Sequence, residues 1–270
     1  MAIQMSAALA RLHDELRYEP VTHRIKATLG DRVVAETTGA VLVWEPRRLV
    51  PTYAVPREDL RPQLIEVDAA PDDPATAPPV LAPGKFGPHL TPGRPLDLEI
   101  DGATLERAGY AFDDPELSGH VLLDWDAFTW TEEATVMTGH AQDPFKRIKT
   151  LASDRHVRVS MDGRVLADSQ RCVLLLETHL PPRWYLPPED VRLDLLEPSD
   201  KHSVCAYKGR ASYWSLIGND AGRHLAWSYP DPLQDAHPVR DLLCFWGERT
   251  ELVIDGTPVP RPPSPFAGMP

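Results

Sequence analysis

Residues Glu197 to Trp214 read E-P-S-D-K-H-S-V-C-A-Y-K-G-R-A-S-Y-W. This stretch brings a thiol, an imidazole, an ammonium, carboxylates and aromatic rings close together in sequence. Cys205 is a nucleophile if a base or cation lowers its pKa. His202 and Lys208 each lie three residues from it. On an unbroken strand 202 and 208 share one parity and 205 has the other. The catalytic arrangement therefore needs a bend, which Lys208-Gly209 allows. The plainer reading is a small buried or pocket-lining thiol, the common fate of a free cysteine. Lys208-Gly209 also suits an anionic group, with glycine permitting close backbone approach; otherwise Lys208 is an exposed lysine at a turn. Asp200, His202 and Cys205 are all metal-ligand types, but no second tight ligand pair accompanies them, so no metal and no cofactor is expected.

Further along, Tyr213, Trp227 and Tyr229 can wall a pocket for a flat ligand, with Asp200 as a polar contact. They can equally be core. His237 and Asp241 are spaced one helical turn apart. Asp124-Trp125-Asp126 resembles the paired aspartates of metal-dependent nucleotidyl transfer, but no glycine-rich phosphate loop accompanies it.

Elements must position these groups, and the chain supplies them twice. Arg24–Glu45 aligns without a gap on His156–Glu177 at an offset of 132, with Arg32, Val33, Ala35, Val41, Leu42 and Glu45 recurring. Tyr53–Glu66 aligns on Trp184–Glu197 at 131, and Gly109–Phe128 on Ala226–Phe245 at 117. The last block pairs His120 with His237, Asp124 with Asp241 and Phe128 with Phe245. Collinear blocks of this kind mark a duplicated domain. The expected organisation is an N-terminal helix over 1–20, a first β domain over 21–150 with a Pro-rich insertion at 70–95, a second over 155–256, and a disordered or PPII-like Pro-rich tail at 257–270.

The local signals are mostly β. His156–Ser169 alternates apolar and polar residues around Asp162-Gly163, a two-residue hairpin signal. Cys172–Glu177 is a short apolar strand. His237 onward reads as a short helix through Val239, Leu242, Leu243 and Phe245, then a strand turning at Asp255-Gly256. The two copies diverge after Glu66 and Glu197, so S-D-K-H-S-V-C-A-Y-K-G belongs to the second copy alone. That points to one site, in the second domain.

Bulk properties bound the partners. The chain has 270 residues and a formal net charge of −12, which repels nucleic acid and anionic membranes. No run approaches the roughly twenty apolar residues of a membrane helix, and residues 1–20 lack the basic start and apolar core of a signal peptide. Three cysteines without a C-x-x-C pair fit free thiols in a reducing cytoplasm.

The second copy resembles a bacterial family called domain of unknown function 427, also labelled a nucleotidyltransferase-type domain. The motifs that carry it are L-P-x-E-D-V, L-E-P-S-D, C-x-x-K-G-x-A-x-Y and A-W-x-Y-P-x-P, close over about 155–256 and weaker over 22–130. The resemblance implies a compact Mss4-like, or β-tent, fold in tandem. It carries no settled activity. Two readings stay open. One is a small-molecule site, enzymatic if Cys205, His202 and Lys208 converge, with Asp200, Tyr213, Trp227 and Tyr229 binding substrate. The other is a non-catalytic scaffold or peptide- or metabolite-binding module in which the cluster is structural.

Overall fold

The computed structural model describes residues 2–69, 72–81 and 84–262. It divides into two compact units, Met1–Asp143 and Pro144–Pro270. The first unit begins with helix α1 (Met5–Arg11) and has strands β1 (Arg17–Pro20), β2 (Ile25–Leu29), β3 (Arg32–Thr37), β4 (Val41–Trp44), β5 (Thr52–Pro56), β6 (Gln63–Glu66), β7 (Gly93–Ile100), β8 (Ala103–Phe112), β9 (His120–Leu123), β10 (Thr129–Glu132) and β11 (Thr135–Val136). The second has β12 (Ile148–Ser153), β13 (Val157–Met161), β14 (Arg164–Ser169), β15 (Cys172–Glu177), β16 (Arg183–Leu186), β17 (Leu196–Cys205), β18 (Gly209–Leu216), β19 (Ala226–Ser228), β20 (Leu243–Phe245), β21 (Glu251–Ile254) and β22 (Thr257–Val259).

Among the described residues each unit forms a seven-stranded and a four-stranded sheet, antiparallel throughout. The large sheets run β1-β4-β5-β9-β8-β7-β6 and β12-β15-β16-β20-β19-β18-β17; the small ones run β11-β10-β2-β3 and β22-β21-β13-β14. Strand for strand these orders are the same, so the protein is mainly β and built from two copies of one topology.

Period-two alternation sorts the side chains. In β16, Trp184 and Leu186 join Val157, Val159 and Leu166 of the small sheet in a shared core. Tyr185, between them, faces the other way, among Tyr213, Trp227, Tyr229 and Cys244. In β4, Leu42 and Trp44 enter the equivalent core, while Val41 and Val43 pack with Tyr110, Phe112 and Leu122. The large sheet is thus covered on both faces, which is why V-L-V-W reads as a continuous apolar run. Each large side chain so buried contributes about 1.5–3 kcal/mol.

Turn chemistry closes the hairpins. Asp162 and Gly163 have φ of 51° and 73°, and Asp255 and Gly256 of 49° and 77°, the pair of left-handed residues a type I′ turn requires.

Several expectations are corrected. Helical structure at the N-terminus ends at the 3-10 turn Leu12–Asp14, and Arg17–Pro20 is an edge strand paired with β4. Residues 148–153, expected around the domain boundary, pair with β15 throughout. Thr257–Val259, expected as tail, is a strand hydrogen-bonded to β21; residues 263–270 lie outside the described residues, as do 70, 71, 82 and 83 of the insertion. The helix expected after His237 is instead a 3-10 helix, Gln234–Val239, with Pro238 inside it, and Leu243–Phe245 is strand because its alternate side chains serve both faces of the sheet. The third repeat block also slips. Tyr110 pairs with Leu122 as Trp227 pairs with Cys244, so the offset grows from 117 on β8 to 122 on β9. The 3-10 segment of the second unit accounts for the extra residues. His120 and Asp124 are therefore not equivalents of His237 and Asp241.

A Cβ at Gly163 would meet nothing within 4 Å, so Gly163→Ala isolates the backbone term. It should lower the stability of the second unit by about 1 kcal/mol, read as a shift of its denaturant midpoint; an unchanged midpoint would contradict the type I′ assignment.

Candidate functional site

The last residue of β15, Glu177, has a carboxylate that is 3% exposed. A buried carboxylate costs several kcal/mol unless it is paired. Here each oxygen has its own lysine. Lys146 Nζ lies 3.0 Å from Oε1, and Lys208 Nζ bonds Oε2. Burial pushes the Glu177 pKa up, but Lys208 and Lys146 outweigh it and hold the group below the usual glutamate range. The Lys208 side chain is itself only 11% exposed, and its carbonyl accepts from Leu233 N at 3.1 Å. The expected turn lysine is a buried structural cation.

The first unit solves the same problem with other residues. Glu45, the equivalent of Glu177, is met by Arg48 Nε and by His89 Nδ1, each at 3.1 Å. Arg48 also donates to the carbonyls of Lys85, Phe86 and Pro88, and His89 stacks on Tyr110 at 3.9 Å. The Pro-rich insertion is thereby anchored on the buried carboxylate, its histidine entering from the chain before β7 as Lys208 enters from the turn before β18.

Lys208 anchors the β17–β18 hairpin, whose register runs His202↔Ser212 through Cys205↔Gly209 without interruption. The bend that catalysis would need is absent from this segment. Ser203 Oγ lies 2.9 Å from Tyr213 Oη, which places 203 and, by alternation, Cys205 on the aromatic side. His202 faces the opposite side, exposed, with Nδ1 3.2 Å from the Ala211 carbonyl. Cys205 is half-buried. The structure thus brings Lys208, Cys205 and Tyr213 to one face of the sheet and excludes His202.

Asp200 is exposed in an irregular part of β17. Tyr213, Trp227 and Tyr229 are buried together. Trp227 Nε1 donates to Tyr185 Oη at 3.0 Å, and its ring contacts Trp246 at 4.6 Å. Burial holds the Tyr229 hydroxyl well above its ordinary pKa. The rings fill this layer by packing on one another. Clefts among the described residues include an open one of about 420 Å³ around Arg48, Phe86, Asp124 and Trp125 and another of about 300 Å³ around Pro182, Arg183, Phe245 and Thr250. None of Asp200, His202, Cys205, Lys208, Tyr213, Trp227 and Tyr229 lines either one, whereas Asp124, Trp125 and Asp126 of the D-W-D motif line the first.

The remaining reactive groups are accounted for locally. Cys244 is pushed up to about 12 by burial, and burial also raises Cys172. Asp124 caps the 3-10 turn Trp125–Ala127, accepting from Asp126 N at 3.1 Å, so the first aspartate of the D-W-D motif is a cap. Among the described residues no group of three or more His, Cys, Asp or Glu could hold a metal. Sequence reasoning missed the buried bidentate pair of Arg183 and Glu248, both contacts at 2.7 Å, with the guanidinium 5.5 Å and 5.1 Å from the Trp227 and Trp246 rings. It also missed Lys146. The available signal was the recurrence of Glu45 as Glu177.

Lys208→Met would leave Glu177 with a single cation and should cost about 3 kcal/mol of second-unit stability. Because the folded pKa of Glu177 is depressed, its contribution is complete above the unfolded value, near 4.5, and is lost as pH falls through the lower folded value. Denaturation of wild type from neutral pH to pH 3 should show that acid loss; a flat profile would contradict the ion-pair assignment.

No curated protein matches the chain. A family model described as a domain of unknown function (DUF427) matches residues 17–72 and 149–256. These segments cover β1–β6 in the first unit and nearly all of the second, while β7–β11 repeat the topology of β18–β22 outside the matched region. The shared topology, the equivalent buried glutamates and the extent of the match place this chain in the DUF427 family.

Proposed function

We propose that the protein is a non-catalytic small-molecule-binding module, in which the reactive-looking segment of the second unit serves the fold. One observation carries this reading. The Lys208 ammonium is committed to Glu177, while Cys205 and His202 lie on opposite faces of one continuous strand. Nucleophilic catalysis needs a base within hydrogen-bond reach of the thiol, and strand parity separates the two. The aromatic residues expected as pocket walls pack in the core, while Asp200, also expected to contact substrate, is exposed.

Binding is favoured over a purely structural role by the polar side chains along the irregular part of β17. The irregular part of β17 presents Ser199, Asp200 and Lys201 outside the regular ladder. The net charge of −12 favours a small ligand over nucleic acid or an anionic bilayer. No helix among the described residues is long and apolar enough to cross a membrane.

Alkylation of Cys205, followed by mass spectrometry to separate it from buried Cys172 and Cys244, tests the reading. The rate should be the same in wild type and His202→Gln. A tenfold slower rate in the variant would mean that His202 activates the thiol and would overturn the non-catalytic assignment.

A further inference from the structure

Pairing between β17 and β18 runs from Leu196 to Pro198, shifts register, and resumes at His202. Irregularities of this kind re-aim side chains. This one directs Ser199 at the loop before β19, where Ser199 Oγ lies 2.5 Å from His224 Nδ1. The same oxygen accepts from Lys201 N at 3.1 Å. Lys201 Nζ sits 5.3 Å from the centre of the Tyr213 ring, and that ring meets the His224 imidazole edge-on at 6.3 Å.

The loop is fixed around the imidazole. His224 N donates to Ser215 Oγ at 3.0 Å, and Trp246 Nε1 donates to the His224 carbonyl at 3.0 Å. His224 has a φ of +51°, in the left-handed region that histidine enters more readily than most residues. Arg249 enters from the segment before β21 and donates to the Ala221 carbonyl, beside exposed Arg223.

Four basic side chains thus gather at one corner of a unit in a strongly acidic protein. Burial, then Lys201, Arg223 and Arg249, hold the His224 pKa below the usual histidine value, with Asp200 opposing them. Burial and Arg249 likewise hold Lys201 low. Like charges brought together oppose one another's ionisation, and an anion relieves that opposition. An ammonium, a guanidinium and an imidazole around a hydroxyl form the donor set that suits a tetrahedral oxyanion. The Ser199 contact engages Nδ1 of His224.

We propose that this corner binds the phosphate group of a small phosphorylated molecule, with Lys201, His224 and Arg249 as donors and Ser199 orienting the imidazole. This names the ligand class of the module and rests on the binding reading above. The S-D-K portion of the segment, rather than H-S-V-C, then carries its function.

Calorimetric titration of the full chain with inorganic phosphate, against sodium chloride at matched ionic strength, tests the proposal. Phosphate should bind saturably at one site. Lys201→Met and Arg249→Met should each weaken it about tenfold or more, and Lys149→Met, exposed on β12, should bind as wild type. Arg249 also supports the Ala221 carbonyl, so Lys201→Met decides the matter if Arg249→Met fails to fold. Absence of saturation, equal competition by chloride, or wild-type affinity in Lys201→Met would overturn the proposal. His202→Gln separates the two readings. Unchanged Cys205 alkylation in that variant, together with no phosphate binding in wild type, defeats the phosphate site alone. Slowed alkylation defeats the non-catalytic reading alone.

Discussion

The buried carboxylate at the end of β15 constrains everything around it. Glu177 is removed from water by the sheet that carries it, so the chain must bring cations inward to meet it. Lys208 is one of them, and bringing it in fixes the turn between β17 and β18. Once that turn is fixed, the register of the hairpin follows, and with it the faces on which Cys205 and His202 emerge. The chemistry the segment can perform is decided by an ion pair to a residue 31 positions away.

The first unit makes the constraint general. It keeps the glutamate but replaces both lysines, using Arg48 from the following loop and His89 from the insertion. What the two copies share is a position that must be neutralised, rather than a set of side chains. The insertion differs in length and composition from the hairpin turn, yet each delivers a side chain to the buried carboxylate at the same end of the equivalent sheet. Beyond that anchor the copies differ, and the irregularity in β17 lies in the segment where they diverge.

Much of the architecture was legible in the sequence because it rests on local signals. Asp162-Gly163 and Asp255-Gly256 require left-handed backbone, and apolar alternation assigned the faces of β13 and β14. The recurrence of Glu45 as Glu177 marked a structural residue, though not its partners, which come from distant turns. Parity correctly stated the condition for Cys205 to meet His202; it could not tell whether the chain bends. Leu242, Leu243 and Phe245 mimic a helical stripe, but tertiary pairing with β16 and β19 makes the last part strand. The Pro-rich composition of Thr257–Val259 hid an edge strand, where a proline is tolerated when its nitrogen faces away from the ladder. The basic corner was invisible because Lys201, His224 and Arg249 are scattered along the chain and meet only through the β17 irregularity and the loop before β19.

The central claim is that Glu177 and Lys208 form one energetic unit. A double-mutant cycle with Glu177→Gln and Lys208→Met measures it most directly, by denaturation of the second unit at neutral pH. The account predicts a coupling of about 2 kcal/mol or more, with the double variant more stable than Lys208→Met alone because no buried charge is left unpaired. Additive effects of the two substitutions, with coupling near zero, would contradict it.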